Sequence, residues 1–456
     1  MGTRIKVFKG KGDVVNEENN RRVFLGTCVY TCLVKEVEQN FWESNHYLRG
    51  GSVNTEEAVM QRLERQTEFN HENVLKIRGY AKDDQANPPV LLVAMERLEY
   101  NLVQFVRLFE DQLTDKFNHP TDLARKIVRG IVDGVHYLHE QGVRCPHIRP
   151  SNILVTAEGV VKVDPSTDTS HPDTLWTAPE ENNQSDAIND NVSLTWWKQS
   201  DMYRLASIIF YVITGGKRHI LGAEVGDVIR YIDSLKSRDY PTNLQSRLAI
   251  VSRECASLLG PLLTQNHTLR FSSVNVSEPF FWNYMDAARF IVLISNMAED
   301  NYITIGTRKL TLKQVIDGIA PPWNPQSTWK GVVNPKLSRD MVKDTREWIK
   351  RKYDRQEISK EEKDAELQKL KSSPNTVFSF IRFFRNIYSH EDKLQRDTIQ
   401  TLQSSYGGTD YIWRHMLHCY DGLVTDLRDV MVDVGESTWW IHMTDDQNSS
   451  TEETTF

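Results

Sequence analysis

Cysteine is scarce and unpatterned: five in 456 residues, at positions 28, 32, 145, 255 and 419. An odd, scattered set makes no disulfide framework, and Cys28 and Cys32 lack a nearby Cys/His pair to complete a zinc site, so a reducing compartment is expected. Long apolar runs are missing too. The richest, "ASIIFYVITGG" at 206–216, falls far short of the ~20 residues that cross a bilayer. The N-terminal "MGTRIKVFKGKGD" has no apolar signal core, and Lys6 stands where N-myristoylation prefers Ser or Thr. Surplus positive charge is absent: the net charge of -7 excludes blanket attraction to nucleic acid, so an RNA site must be a local patch. No 33-residue period of the Thr-Pro-Leu-His type occurs, which excludes an ankyrin array. What remains is ordinary, 39% hydrophobic and 26% charged, in a chain long enough for two or three cores. A soluble, cytoplasmic protein without a membrane partner is expected.

Residues 20–100 read as strands broken by one helix. "RRVFLGTCVYTCLVKEV", "NVLKIRGYA" and "PVLLVAMER" are β-branched and apolar, while "TEEAVMQRLERQTEF" has helical spacing. From about 101 the pattern turns helical. In "TDLARKIVRGIVDGVHYLHEQG" Leu123, Ile127, Ile131, Val135 and Leu138 recur at steps of three and four, one buried stripe. "CPHIRPSNILVTAEGVVKVDPS" is a short irregular stretch with β pieces, and helices resume at "SDMYRLASIIFYVITGG".

Five motifs stand in a fixed order. "LHEQGVRCPHIRPSNILV" resembles a protein-kinase catalytic loop, and Asp164-Pro165-Ser166 stands where the metal-binding Asp-Phe-Gly occurs. Ala178-Pro179-Glu180 resembles the close of an activation segment, Asp201 the aspartate of the following buried helix, and Arg270 the late arginine that pairs with that glutamate. Further on, "PFFW" at Pro279–Trp282, "STWKGVVNPKLSRDMVKDTREWIKRKY" and "NTVFSFIRFFRNIYSH" resemble the RNase L and unfolded-protein-response endoribonuclease family. In that family a kinase-like domain runs into a kinase-extension nuclease domain, and the likeness covers about residues 20–435, RNase L being the nearer in kind. The implied fold class is α+β, a bilobal protein-kinase-like fold followed by an all-α extension. The implied boundaries are an N-terminal segment 1–20, lobes 21–98 and 99–282, the helical nuclease domain 283–435 and a disordered acidic tail 436–456.

Phosphoryl transfer needs a glycine loop, a strand lysine, an aspartate base and two metal-binding side chains. Lys35 matches the lysine, and Asn152 and Asp164 match the metal ligands. The glycine loop is unrecognisable, and the catalytic His-Arg-Asp has become Cys145-Pro146-His147, with Arg149 in place of the following lysine. The lysine's helix partner is Glu57 or Gln61. The resemblance therefore implies a pseudokinase that holds ATP or ADP with Mg²⁺ through Lys35, Glu96, Leu98, Asn152 and Asp164 without turnover.

The stretch "RFFRNIYSHED" carries Arg385, Asn386 and His390, matching the family's Arg-Asn-x-x-x-His. Asn375 or Thr376 is expected to cap a helix whose apolar stripe is Val377, Phe380, Ile381 and Phe384. Asn386 and His390, four apart, share a face, and Arg382 lies one turn earlier. Metal-free RNA cleavage needs a proton for the leaving 5′-oxygen and charge compensation at phosphorus. A histidine titrating near neutrality suits the first, and an arginine fork with an amide suits the second. Where the family has an acid six residues before the arginine, this chain has Ser379; no tyrosine stands at the expected place, leaving Tyr353, Tyr388 and Tyr411 as substitutes. The resemblance implies an endoribonuclease needing no cofactor for RNA cleavage and working as a homodimer on single-stranded RNA or loops under a separate upstream sensor. Its rivals are a catalytically silent scaffold and an active kinase using His147. The dense charges of "RDMVKDTREWIKRKYDRQEISKEEKDAELQKLK" read mostly as solvated helix, with the portion around Trp348 and Tyr353 able to meet an RNA backbone.

Overall fold

In the computed structural model the described residues are 14–18, 21–27, 31–38, 56–83, 90–116, 119–145, 148–165, 176–182, 194–217, 248, 251–264, 266–298, 302–305, 308–323, 329–371, 375–389, 394–407 and 411–433. They fall into two compact units, Met1–Val276 and Ser277–Phe456.

In the first unit the β-branched runs pair as antiparallel strands β1 (Val14–Glu18), β2 (Arg21–Thr27) and β3 (Thr31–Glu38), followed by helix α1 (Glu56–Thr67) and strands β4 (Ile77–Asp83) and β5 (Val90–Glu96). The sheet order is β1-β2-β3-β5-β4. Strand β4 starts at Ile77 rather than at residue 73 because the preceding residues pair elsewhere. Leu75 N–H donates to the Val163 carbonyl at 2.9 Å and Val163 N–H to the Asn73 carbonyl at 2.8 Å. Strand β6 (Tyr100–Asn101) leads into α2 (Leu102–Leu108), whose capping box joins Asn101 and Gln104.

Helix α3 (Asp122–Glu140) begins at Thr121, whose hydroxyl accepts the Ala124 N–H. Ile127, Ile131, Val135 and Leu138 are fully buried as the spacing predicts; Leu123 is only half-buried, and Ala124 takes the inward place in the first turn. Gly134 lets the helix approach residue 73: a Cβ there would stand 2.4 Å from the Asn73 carbonyl oxygen. Strands β7 (Ile153–Val155) and β8 (Val161–Val163) join β6 in a small sheet. Helix α4 (Leu194–Ile213) is buried on every side from Met202 to Ile213, as its apolar sequence requires, and α5 (Arg253–Leu259) follows.

The second unit contains α6 (Tyr284–Met297), strands β9 (Tyr302–Ile305) and β10 (Arg308–Thr311), and helices α7 (Leu312–Asp317), α8 (Pro335–Asp354), α9 (Lys360–Lys371), α10 (Val377–Ser389), α11 (Arg396–Tyr406), α12 (Tyr411–Cys419) and α13 (Leu423–Asp433). The expected all-α character needs one correction: β9 and β10 form an antiparallel hairpin, in keeping with the β-branched "YITI". The core is aromatic: Trp282 packs on Phe290, and Trp323 packs on Phe380 and Tyr420. The charged segment forms α8 and the largely exposed α9, with Gln356 in a left-handed conformation (φ 61°) at the turn between them. The expected acidic tail lies outside the described residues. Among the described residues no helix is long and apolar enough to cross a membrane.

Candidate functional site

In the first unit the kinase-type residues stand on β3 and β5 and at the ends of β7 and β8. Lys35 sits mid-strand in β3, opposite Val93 of β5; its side chain, like that of Glu57, lies outside what is described. Gln61, the other partner considered for that lysine, is exposed on α1. Among the described side chains of α1 the buried polar one is Gln66, 2% exposed, whose amide donates to the Pro165 carbonyl at 2.7 Å. It ties α1 directly to the Asp164-Pro165 turn, a contact that no motif in the sequence announces.

Asn152 closes a short 3-10 turn (Pro150–Asn152), and its carbonyl accepts the Asp164 N–H at 3.1 Å. One amide oxygen and one carboxylate are thereby set on neighbouring strand ends, a hard-oxygen pair of the kind Mg²⁺ takes. Leu98 is buried with Leu63, Leu75, Ile77, Val93 and Met95, and Leu154 packs against the same cluster. Glu96 turns its carboxylate to the Lys76 N–H (2.7 Å) and the Lys162 ammonium (3.0 Å), and its own N–H donates to the Lys76 carbonyl (3.0 Å). Pro146, His147 and Ser166 lie outside the described residues.

The frame beneath these residues is ionic and buried. Asp201 accepts the Cys145 N–H at 2.9 Å, stands 2.9 Å from His139 Nε2 and pairs with Arg204 at 3.3 Å. Burial, and then the Asp201 charge, push the Cys145 thiol well up, which disfavours the thiolate. Arg270 forks onto Glu180 and also reaches the Gln199 and Thr264 carbonyls, the pairing that the sequence predicts. Burial alone would raise the Glu180 carboxyl, but the Arg270 hydrogen bonds and charge outweigh it and hold the group below its ordinary value. Arg204 likewise pairs with Glu181, whose carboxyl burial keeps raised.

In the second unit the expected stripe of α10 is realised: Val377, Phe380, Ile381 and Phe384 are at most 1% exposed, each such side chain contributing ~1.5–3 kcal/mol over exposure. Thr376 is the cap, accepting the Ser379 N–H at 3.3 Å, while Asn375 Oδ1 accepts the Trp329 N–H at 2.9 Å. Ser379 thus belongs to the capping turn, its hydroxyl 3.1 Å from that of Thr376. A carboxylate nevertheless reaches this turn from α7: Asp317 Oδ1 accepts the Phe378 N–H at 3.2 Å, favourably placed at a helix N-terminus.

At the other end, Arg385 and Asn386 are half-buried and joined, with Arg385 Nη1 donating to Asn386 Oδ1 at 3.2 Å. Arg385 Nε donates to Asn296 Oδ1 of α6 at 3.1 Å, a partner from 89 residues earlier that the sequence does not reveal. Arg382 points to solvent. His390 lies outside the described residues. Of the three tyrosines, Tyr411 is buried, Tyr353 is covered by the Lys363 ammonium 3.8 Å from its ring, and Tyr388 is exposed one turn beyond Arg385.

Comparison with known proteins adds the following. A protein kinase domain is matched over residues 27–281, more than half of the 456 residues. A probable serine/threonine-protein kinase of Dictyostelium discoideum is 33% identical over 113 residues, 25% of this chain and 14% of that protein. The serine/threonine-protein kinase/endoribonuclease IRE1a of Arabidopsis thaliana is 27% identical over 186 residues, 36% of this chain and 20% of the relative. The kinase/endoribonuclease IRE1 of Oryza sativa subsp. japonica is 25% identical over 245 residues, 46% and 24% respectively. The chain thus matches less than a quarter of the length of these relatives.

Proposed function

The chain belongs to the protein kinase domain family, and from that premise we propose that it is a pseudokinase-ribonuclease. In this proposal the first unit binds nucleotide without transferring its phosphate, and the second cleaves RNA. The observation that carries the second half is the joined Arg385–Asn386 pair on α10, anchored by Asn296, in a chain with His390 four residues after Asn386. The two relatives named as kinase/endoribonucleases support the combination.

The nucleotide would lie against the Leu98 and Leu154 side, with Mg²⁺ held by the Asn152 amide oxygen and the Asp164 carboxylate. The ion would neutralise phosphate charge. Without an aspartate base, and with Cys145-Pro146-His147 in the catalytic loop, the bound nucleotide acts as a ligand that favours one conformation and the homodimer.

At α10 the RNA 2′-oxygen attacks the adjacent phosphorus as its proton is removed; the new O2′–P bond forms as the P–O5′ bond breaks. The products are a 2′,3′-cyclic phosphate and a 5′-hydroxyl. His390 supplies the proton to the leaving 5′-oxygen, and the Arg385 fork with the Asn386 amide compensates charge on the non-bridging oxygens. Tyr388, exposed and three residues from Arg385, would act as the base. No His-Glu-x-x-His pattern calls for a metal in this step.

The test is cleavage of a hairpin RNA by the purified chain with and without ATP. Wild type should release 2′,3′-cyclic ends, while His390→Ala and Arg385→Ala should each lose ~10²-fold or more, as removal of an acid or of a charge-stabilising donor does. Wild type as inert as His390→Ala would leave the silent-scaffold alternative. The relatives' names keep an active kinase as a second reading, and His147-dependent incorporation of labelled phosphate would establish it.

A further inference from the structure

Helix α8 carries Arg339, Lys343, Arg346 and Lys350 at steps of four, three and four, which sets them in one row along the helix. Lys330, from the preceding turn, joins Arg339, Lys343 and Arg346 in lining an open groove of about 510 Å³, with Val342 and Glu347 also in its wall. The row is on the side of α8 away from Trp348, which lies about half a helical turn round from Arg346. Arg339 shares Asp340 and Asp397 at 3.6 and 3.9 Å. Among the described residues neither Lys343 nor Arg346 has an acidic partner within ion-pair distance, and both are exposed. In a chain of net charge -7 this is a local excess of uncompensated positive charge.

The groove is fixed to the helix of the candidate nuclease site. Lys330 follows Trp329, whose N–H donates to Asn375 Oδ1 at 2.9 Å and whose ring lies 5.0 Å from Phe383 of α10. One rim of the groove therefore moves with α10. From Arg339 to Arg346 the row rises ~10 Å, a span that meets consecutive phosphates. Among the described residues no strand lines it, so it offers a peptide no sheet edge to pair with.

From this placement we infer that the α8 groove is a phosphate-backbone docking site that holds RNA beside α10. It acts through charge and not base identity, and lies apart from the residues that would do chemistry. The choice of RNA over other polyanions rests on the ribonuclease reading; the groove itself does not.

The test uses the full chain and a labelled 2′-O-methyl single-stranded RNA, which can bind but offers no attacking hydroxyl, with affinity read by fluorescence anisotropy over a salt series. Lys343→Gln/Arg346→Gln should weaken binding by ~tenfold or more and flatten the slope of log affinity against log salt by ~1.4, about 0.7 per lost phosphate contact on a single strand. Arg289→Gln/Lys360→Gln removes the same charge from exposed positions elsewhere in the unit and should stay within ~twofold of wild type. Equal losses in the two double variants, or none in the first, would overturn the docking site. So would an acidic peptide that displaces the RNA at matching affinity, which would mark the groove as a protein dock. Because the probe is uncleavable, intact binding by a wild-type chain that cuts no hairpin RNA counts against the nuclease reading alone. Unchanged binding in the groove variant counts against the groove alone.

Discussion

Consider Arg270→Met, which keeps the length of the side chain and removes its charge. All five guanidinium N–H groups of Arg270 are engaged: Nη1 donates to Glu180 and the Gln199 carbonyl, Nη2 to Glu180 and the Thr264 carbonyl, and Nε to Thr264. The Arg270 side chain is 0% exposed and that of Glu180 11%, so solvent screens little of the loss. The variant leaves a buried carboxylate with the Ser200 hydroxyl as its remaining side-chain partner, together with two carbonyls short of a donor. Breaking a buried pair from one side costs ~3–5 kcal/mol. For a unit of this size that lowers the melting temperature by roughly 6–20 °C. Calorimetry should show the drop in the transition of the first unit, with the second unit's transition unmoved. Glu180→Gln added to Arg270→Met removes the stranded charge and should recover part of the loss. A second signature follows from pH. The Glu180 carboxyl lies below its ordinary value, so the stability it contributes is complete above the usual carboxylate range and is lost as pH falls through the lowered value. Glu180→Gln should flatten that acid limb. If Arg270→Met shifts the transition by less than ~2 °C, the pair is not a fastener of the fold and the reasoning fails.

Two further predictions concern single positions. His415 Nε2 accepts the Asn334 N–H, and its Nδ1 lies 2.9 Å from the Tyr406 hydroxyl. Burial first, with His418 adding to it, lowers its pKa from 6.5 to about 4. The unfolded chain then binds a proton between these values that the folded chain refuses. Stability should fall as pH drops from 6.5 to 4, by up to ~3 kcal/mol; equal urea-midpoint slopes in wild type and His415→Gln would refute this. At Gly134 the ~1 kcal/mol helix-propensity gain of an alanine competes with a Cβ 2.4 Å from the Asn73 carbonyl oxygen, backbone that Val163 also holds. Overpacking wins, so Gly134→Ala should destabilise by ~1–3 kcal/mol in chemical denaturation. Gly130→Ala, which meets the Asn73 side-chain amide, should cost less.

Periodicity and motif order were strong signals because each depends on neighbours in the chain. The stripes of α3 and α10, the Thr376 cap and the strand runs follow from spacing and local hydrogen bonding, and Arg270 was legible because the motif names its partner. The β9–β10 hairpin was missed since eight residues of strand leave a weak signal within a long helical stretch. Neither Gln66 on Pro165 nor Asn296 on Arg385 has a local signature, since each bond joins residues some 90 or more positions apart. Ser379 reads in sequence as a lost acid; in space the same turn receives the carboxylate of Asp317. The row of cations on α8 reads as a charged helix until its acidic partners are located, and they cover Arg339 but not Lys343 or Arg346.

By itself, then, the sequence determined the kinase-like order of elements, the degenerate catalytic loop and the helix that carries Arg385 and Asn386, because these are set by composition and short-range spacing. Tertiary structure alone decided which polar groups those residues face, where uncompensated charge gathers and which glycine has no room for a side chain. Those properties depend on distances between segments far apart in the chain, which no local pattern encodes.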